Sequence, residues 1–331
     1  MAPRKSVVTG GAGFIGSHMV DLLLAEGHDV VVIDDFSTGR PENLAHQKGS
    51  PRLRLVQADV ADAGRVTPEF AGAEWVFHFA ALADIVPSIQ RPTEYLRANV
   101  MGTLGVLEAA RAAGVKRFVY SASSSCYGIP DVYPTPETAP MRPEYPYALS
   151  KLLGEQMALH WGQVYRLPVV SLRYFNAYGP RSRTSGTYGA VFGVFLAQKL
   201  NGHPFTVVGD GTQTRDFVFV TDVARANLLA AQSDCVNEVF NVGTGSPQSV
   251  KRLVELLGGP VIHIPKRPGE PNSTHADIAK IRARLGWAPK VSFEQGVRTM
   301  LEAIDYWRAA PVWTVDKIEQ ATRDWFRYLG R

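Results

Sequence analysis

The sequence predicts an α/β fold: a doubly wound parallel sheet followed by a smaller α/β lobe. Three observations carry that prediction. Short β-branched runs alternate with helical patterns from the start of the chain. The runs are apolar on both faces, so helices must cover both sides of a parallel sheet. A cluster of glycines stands where the first run gives way to the first helical pattern.

Taken in order, the spacing predicts a strand over 6–9, a helix over 15–25 and a second strand over 30–33, each bounded by Gly or Asp. Strands follow at 53–57 and 76–79, a helix at about 93–113, a strand at 118–121, a helix at 147–165 and a strand at 169–172. After Arg173 the rhythm loosens. Gly and Pro punctuate 178–189, and a long loop is expected over 260–274. Residues 1–175 are therefore read as the sheet domain and 176–331 as a second, substrate-binding lobe. A strand over 215–220, a helix over 222–231 and a strand over 238–242 look like late elements that return to the first domain.

Composition sets the class. With 331 residues, 45% hydrophobic and 20% charged, the chain reads as a soluble globular protein, not a disordered, collagenous or coiled-coil one. The longest nearly apolar stretch, 75–86, contains His78 and Asp84 and is too short to cross a bilayer. The amino-terminal residues lack the pattern of a signal peptide, so a cytoplasmic protein with no membrane partner is expected. Cys126 and Cys235 form no metal or redox motif, and neither a disulfide nor a metal site is expected. The 35 Lys and Arg exceed the 31 Asp and Glu only slightly, and the two signs are interspersed. That pattern disfavours nucleic acid and suits a cleft for an anionic small molecule.

The first strand runs into Gly10-Gly11-Ala12-Gly13-Phe14-Ile15-Gly16, a GxxGxxG spacing. Such glycines let the turn reverse, let backbone amides approach a pyrophosphate and let the helix sit close to the sheet. A glycine cluster alone is weak evidence, because tight turns collect glycine for steric reasons. Here it lies between a strand and a helix, and the second strand ends at Asp34, whose carboxylate suits ribose hydroxyls and would repel a 2′-phosphate. The unit is therefore read as a Rossmann-type site for NAD in preference to NADP.

Tyr147 and Lys151 are four residues apart, one turn from each other on one helix face. A phenol with a pKa of about 10 is a poor base at neutral pH. The ammonium, together with the cationic nicotinamide ring, is expected to lower it. YxxxK alone is a common exposed-helix pattern. Upstream, however, the strand at 118–121 leads into Ala122-Ser123-Ser124-Ser125-Cys126-Tyr127-Gly128, and the carboxyl end of a strand is where an open parallel sheet places its ligands.

With these motifs in view, the chain resembles the extended short-chain dehydrogenase/reductases that act on nucleotide sugars, and is most similar to the UDP-glucose/UDP-galactose 4-epimerase group. The resemblance spans nearly the whole chain. It rests on the glycine turn from Thr9 to Gly16, Asp34-Asp35, Ala58-Asp59-Val60, His78 to Ala81, Asn99 to Thr103, the serine run, YxxxK, Arg173 to Asn176, Arg215-Asp216 and Arg267 to Glu270. It implies NAD as cofactor, held by Gly10, Gly13, Phe14, Ile15, Gly16, Asp34, Asp35, Ser37, Thr38, Gly39, Asp59, Val60, Phe79, Ala80, Ala81, Asn99 and Tyr174, with Lys151 anchoring the nicotinamide ribose. It implies Ser123 beside the sugar C4 oxygen and Tyr147 as base and acid. Substrate contacts are implied for Ser125, Asn176, Arg215, Arg267 and Thr274, the two arginines and Asn176 gripping the diphosphate. A plainer reading makes the arginines surface ion-pair partners. His78 reads as a core histidine and Cys126 as a small buried residue.

Departures from the related enzymes sharpen the reading. Ser124 and Ser125 stand where 4,6-dehydratases carry an acidic pair, and the glutamate usual in decarboxylases is absent too. Oxidation and re-reduction at C4 of a UDP-hexose, through a 4-keto intermediate, is therefore favoured. Thr274 stands seven places after Arg267, where strict glucose/galactose epimerases carry a large aromatic residue, which leaves room for an N-acetyl group at C2. Ala83 replaces a lysine often seen in the loop after the fourth strand. The alternatives are another NAD-dependent nucleotide-sugar modifier, such as a uronate epimerase, a dehydratase or a reductase, and an idle NAD-sensing scaffold. A homodimer is expected from second apolar stripes through Leu104, Val106 and Leu107 on one helix and Leu152, Leu153 and Met157 on another.

Overall fold

The computed structural model describes residues 3–183 and 189–330. Seven parallel strands form its central sheet: β1 (Lys5–Thr9), β2 (Asp29–Asp34), β3 (Leu53–Gln57), β4 (Trp75–His78), β5 (Arg117–Ser123), β6 (Val169–Tyr174) and, much later in the chain, Glu238–Val242. Their spatial order is β3, β2, β1, β4, β5, β6 and then Glu238–Val242. Chain direction across the sheet reverses between β1 and β4, the switch point where such sheets open a crevice beyond their carboxyl ends. All side chains of β4, β5 and β6 are buried, as a sheet covered on both faces requires.

Helix Phe14–Ala25 packs against helix Val220–Gln232 on one face of the sheet, while Gly102–Ala113 and Pro146–Tyr165 pack together on the other. Two apolar cores result. One joins Met19, Val20 and Leu23 to Val223 and Phe240, and the other joins Val106, Leu107 and Ala110 to Phe118 and Tyr120. The helix expected over 93–113 is interrupted. Pro92–Leu96 leads into a π turn, Arg97–Met101, before Gly102–Ala113. The extra residue of the π turn carries Asn99 inward, where it is 1% exposed.

The remaining strands form three two-stranded sheets. β7 (Asn176–Tyr178) and β10 (Phe217–Phe219) are parallel, β8 (Phe205–Val208) and β13 (Val261–Ile264) are parallel, and β9 (Thr214–Arg215) and β12 (Gln248–Ser249) are antiparallel, with Glu238–Val242 counted as β11. Two expectations are corrected here. Part of the long loop over 260–274 is strand β13. The single strand over 215–220 is divided into β9 and β10, because Asp216 turns its carboxylate inward to the amides of Thr244, Gly245 and Ala276. Neither half joins the main sheet, whereas β11 does, alongside β6. The stretch expected to be punctuated by Gly and Pro, 178–189, falls partly outside the described residues. A third core, built on Phe192, Phe195, Phe217, Leu253 and Trp307, holds the small sheets and the later helices together.

The expected stripes are also redistributed. Val106 and Leu107 are fully buried against their own sheet. Apolar residues that face outward on or beside these helices include Met101, 53% exposed, Leu149, 42% exposed, and Val164 and Tyr165 at the end of the second, with Leu104, Leu152, Leu153 and Met157 half-buried. No helix among the described residues is long and apolar enough to cross a membrane.

Candidate active site

A cavity of about 670 Å³ opens at the carboxyl ends of the central strands and continues into the small-sheet lobe. That is a typical volume for a cofactor or substrate site. One end is formed by the glycine turn. Gly10 has a left-handed φ of 68°, and a Cβ there would lie 2.6 Å from the Ala80 amide nitrogen. At Gly16 a Cβ would lie 2.1 Å from the Gly10 carbonyl oxygen. No side chain caps helix Phe14–Ala25 at Gly13, so its first-turn amides are left for an anion.

At the end of β2, Asp34 accepts hydrogen bonds from the amides of Ala12 and Phe36, both at 2.9 Å. Burial pushes its pKa up, against the two amides that favour the carboxylate. Gly10, Gly13, Phe14, Ile15, Gly16, Asp34, Asp35, Ser37, Thr38, Asp59, Val60, Phe79, Ala80, Ala81 and Tyr174 all line the cavity. Two expected cofactor residues do not. Gly39 lies behind Asp34, where a Cβ would come 2.5 Å from Oδ1. Asn99 is a staple instead: it donates to the Leu82 carbonyl and Ser150 Oγ and accepts from the Leu82 amide. It thereby ties the loop after β4 to the helix that carries Tyr147. An uncapped helix start, close-approach glycines and a carboxylate at the end of β2 fit an adenine dinucleotide.

Ser123, Ser125, Tyr147 and Lys151 all line the cavity as well. Ser123 ends β5, and its Oγ lies 2.5 Å from Ser125 Oγ. Tyr147 and Lys151 lie in the first two turns of helix Pro146–Tyr165, whose start is favoured by a proline in its first turn. The Lys151 ammonium stands 4.7 Å from the centre of the Tyr120 ring. Burial pulls its pKa down to about 8. The Tyr147 phenol is pushed up to about 12, chiefly by burial, with hydrogen bonds from Ser123 and Ser125 acting the other way. The expectation of a lowered phenol is thus not met by the chain's own groups, because desolvation outweighs them.

The other end of the cavity is cationic. Arg215 Nη2 lies 2.7 Å from Glu270 Oε1, and Arg267 Nε lies 3.2 Å from Glu270 Oε2. One carboxylate orients two guanidiniums, and all three groups line the cavity. They are ion-paired, as the plainer reading held, but in a cavity wall and not on an open surface. Thr274 Oγ1 donates to Asn176 Oδ1 at 2.7 Å and accepts from the Asp216 amide at 3.0 Å.

His78 is 1% exposed, bonded to Thr9 and Thr103, with its pKa lowered to about 3 by burial. It is a neutral core histidine. Cys126 and Cys235 are free and buried, and burial raises the Cys126 thiol to about 12. Sequence reasoning missed Tyr145, stacked on Tyr147, and Trp325, both in the cavity wall. It also missed the ion pair of Asp84 with Arg183 in the same wall. Tyr145 is two places from the motif tyrosine, but nothing in the sequence links Trp325 to it.

Fold and site together define an NAD-dependent α/β enzyme. Residues 6–243 match the NAD dependent epimerase/dehydratase family. The chain is 39% identical over 308 residues to the UDP-glucose 4-epimerase of Mycolicibacterium smegmatis, covering 90% of this chain and 97% of that one. It is also similar to the solved UDP-glucose 4-epimerase of Thermotoga maritima, with a TM-score of 0.84, 37% identity and coverage of 92% of this chain and 99% of that chain. The UDP-N-acetylglucosamine 4-epimerase of Methanobrevibacter ruminantium matches with a TM-score of 0.87 and 33% identity, over 92% and 99% of the two chains. The chain belongs to the NAD dependent epimerase/dehydratase family, and it resembles that family's nucleotide-sugar epimerases over nearly its whole length.

Proposed function

We propose that the protein is a cytoplasmic, homodimeric 4-epimerase of UDP-hexoses, acting on UDP-glucose and UDP-galactose or their N-acetylhexosamine equivalents through a transient 4-keto sugar. The observation that carries this reading is the cavity's lining: Ser123, Tyr147 and Lys151 share one cavity with the glycine turn and Asp34 and with Arg215 and Arg267, and hydroxyls stand at Ser124 and Ser125 where elimination would need an acid.

NAD, when bound, supplies a reversible hydride acceptor. The glycine-turn amides and Asp34 hold its adenosine diphosphate half, and Lys151 its nicotinamide ribose. Tyr147 takes the proton from the C4 hydroxyl and later returns one to the C4 oxygen, while the Ser123 hydroxyl hydrogen-bonds that oxygen. The Lys151 ammonium opposes the effect of burial on the phenol. Arg215, Arg267 and Asn176 hold the diphosphate, and Thr274 lies where its small side chain leaves room at C2. Two buried free thiols accord with a reducing compartment. Met101 and Leu149 supply an outward apolar face for a second copy.

The test is product analysis. Without added NAD, purified protein should interconvert the C4 epimers of a UDP-hexose or UDP-N-acetylhexosamine, followed by proton NMR. A panel that includes UDP-glucuronate separates the uronate reading. A product lighter by one water, or net oxidation of a cofactor, would replace epimerisation with dehydration or redox chemistry.

A further inference from the structure

The carboxy-terminal helix Val315–Leu329 returns to the cavity from the far end of the chain, and one of its residues lies between the cationic end and the ring that stacks on Tyr147. Trp325 is 4% exposed and lines the cavity. Its indole N–H donates to the Pro268 carbonyl at 2.6 Å, and the Arg267 guanidinium lies 5.4 Å from its ring centre. On its other side the Tyr145 ring is 6.4 Å away. Tyr145 is in turn stacked on Tyr147, with centroids 6.4 Å apart and planes 9° from parallel. A continuous row of groups, Arg267, Trp325, Tyr145 and Tyr147, therefore runs along the cavity wall from the cationic end to the phenol.

The row matters because Arg267 stands in a loop. β13 ends at Ile264, and the backbone is next pinned to a strand at Asn272, whose carbonyl accepts from the Thr214 amide. Between those points the position of Arg267 depends on what the loop rests against. The end of the carboxy-terminal helix supplies that rest through the Trp325–Pro268 hydrogen bond, and it runs close beside the loop: a Cβ at Gly269 would lie 4.0 Å from Leu329 and one at Gly330 3.8 Å from Pro268. The same helix is tied to the sheet domain, where Asp324 accepts from Gln90 Nε2 at 3.0 Å.

We propose that Trp325 is a positioning residue, a clamp that holds the Arg267 loop at a fixed separation from Tyr147. An anion gripped by Arg267 and Arg215 then presents its attached group to the phenol. The identity of that anion as a nucleoside diphosphate rests on the reading above. The clamp itself is a property of this chain and is measurable without any ligand.

Trp325→Phe keeps a ring for packing and removes the N–H donor. Lys266, exposed beside Arg267, gives trypsin a site inside the clamped loop. In the variant, cleavage after Lys266 in the ligand-free protein should be about fivefold faster or more, since one hydrogen bond and part of a cation–π contact are lost. The dissociation constant for UDP, measured by calorimetry, should rise by a similar factor. KM for the UDP-hexose should rise with kcat changed less than about threefold, and NAD affinity should not move. Glu319→Ala, at an exposed position earlier on the same helix that the clamp does not use, should leave both cleavage and UDP affinity at wild-type values. Unchanged cleavage and UDP affinity in Trp325→Phe would overturn the clamp. So would cleavage accelerated along the whole chain together with lost NAD affinity, because that pattern reports general loosening. If wild type binds no UDP while Trp325→Phe still opens the loop, the nucleotide-diphosphate reading fails and the clamp stands.

Discussion

The carboxylate of Glu155 and the guanidinium of Arg173 form a buried pair, with Nη2 to Oε1 at 2.6 Å and Nε also bonded to the carboxylate. Glu155 lies one turn beyond Lys151 on the same helix, and Arg173 is the β6 neighbour of Ala122 in the strand that ends at Ser123. The pair is completed on every side. Ser171 donates to Glu155, and the remaining Arg173 nitrogen reaches the Tyr127 hydroxyl and the Glu137 carbonyl. Tyr127 passes the chain on to Asn241 of β11.

Breaking such a pair leaves a buried charge without its partner. Arg173→Met should therefore cost about 3–5 kcal/mol of unfolding free energy, read as a shift in the denaturant midpoint. A shift within about 0.5 kcal/mol would show that the network rearranges around the vacancy, as a surface site does.

Tyr147→Phe keeps the ring against Tyr145 and Tyr95 and removes the proton acceptor. Turnover should fall by about 10² to 10⁴ while NAD is retained. Ser123→Ala should cost less, since it removes a hydrogen bond to the reacting oxygen and not the base. Normal turnover in Tyr147→Phe, or a deeper loss in Ser123→Ala, would reverse or remove the assigned roles.

Lys151 gives a pH signature. Its native pKa of about 8 lies below its unfolded value, so between the two the unfolded chain holds a proton that the native chain has released. Stability therefore rises with pH across that window, from about 8 to 10.4, and the penalty for burying the ammonium is fully present below it. Lys151→Met lacks the effect. The stability difference between variant and wild type should shift in favour of wild type by about 3 kcal/mol between pH 7 and 10.5. A difference independent of pH would mean that the ammonium is solvated in the native protein.

Thr274→Tyr should depress turnover of an N-acetylated UDP-sugar far more than that of UDP-glucose, because the added ring fills the space proposed for the C2 group. The structure adds a control. Thr274 also bonds Asn176 and Asp216, so Thr274→Val reports loss of the hydroxyl alone. Equal effects of the tyrosine on both sugars, or a valine effect as large as the tyrosine effect, would place the C2 wall elsewhere.

Leu149→Glu puts a charge on the outward face of helix Pro146–Tyr165. Wild type should scatter light as a dimer at micromolar concentration and the variant as a monomer. A wild-type monomer would leave the Met101 and Leu149 face without a second copy to cover it.

The sequence by itself determined what repeats locally. Strand and helix periods are written in β-branched runs and apolar spacing, and the glycine turn, the carboxylate ending β2 and the Tyr147–Lys151 pair are each confined to one turn or one strand-to-helix junction. Local chemistry suffices to read them, and all of these groups line one cavity. What only the tertiary structure decided depends on groups distant in the chain. Asn99 lies one residue before Val100 in a recognisable motif, yet the π turn rotates it away from the cavity to bond Leu82 and Ser150. Asp216 divides one expected strand into two because its carboxylate finds amides at Thr244, Gly245 and Ala276. Val106 and Leu107 are apolar on any helical projection, and only packing assigns them to the sheet and leaves Met101 and Leu149 outside. Burial also pushes the Tyr147 phenol up in the chain alone, since desolvation is set by the whole enclosure. Trp325 is the extreme case: its place between Arg267 and Tyr145 arises from the return of the last helix across the cavity, a contact that no local pattern encodes.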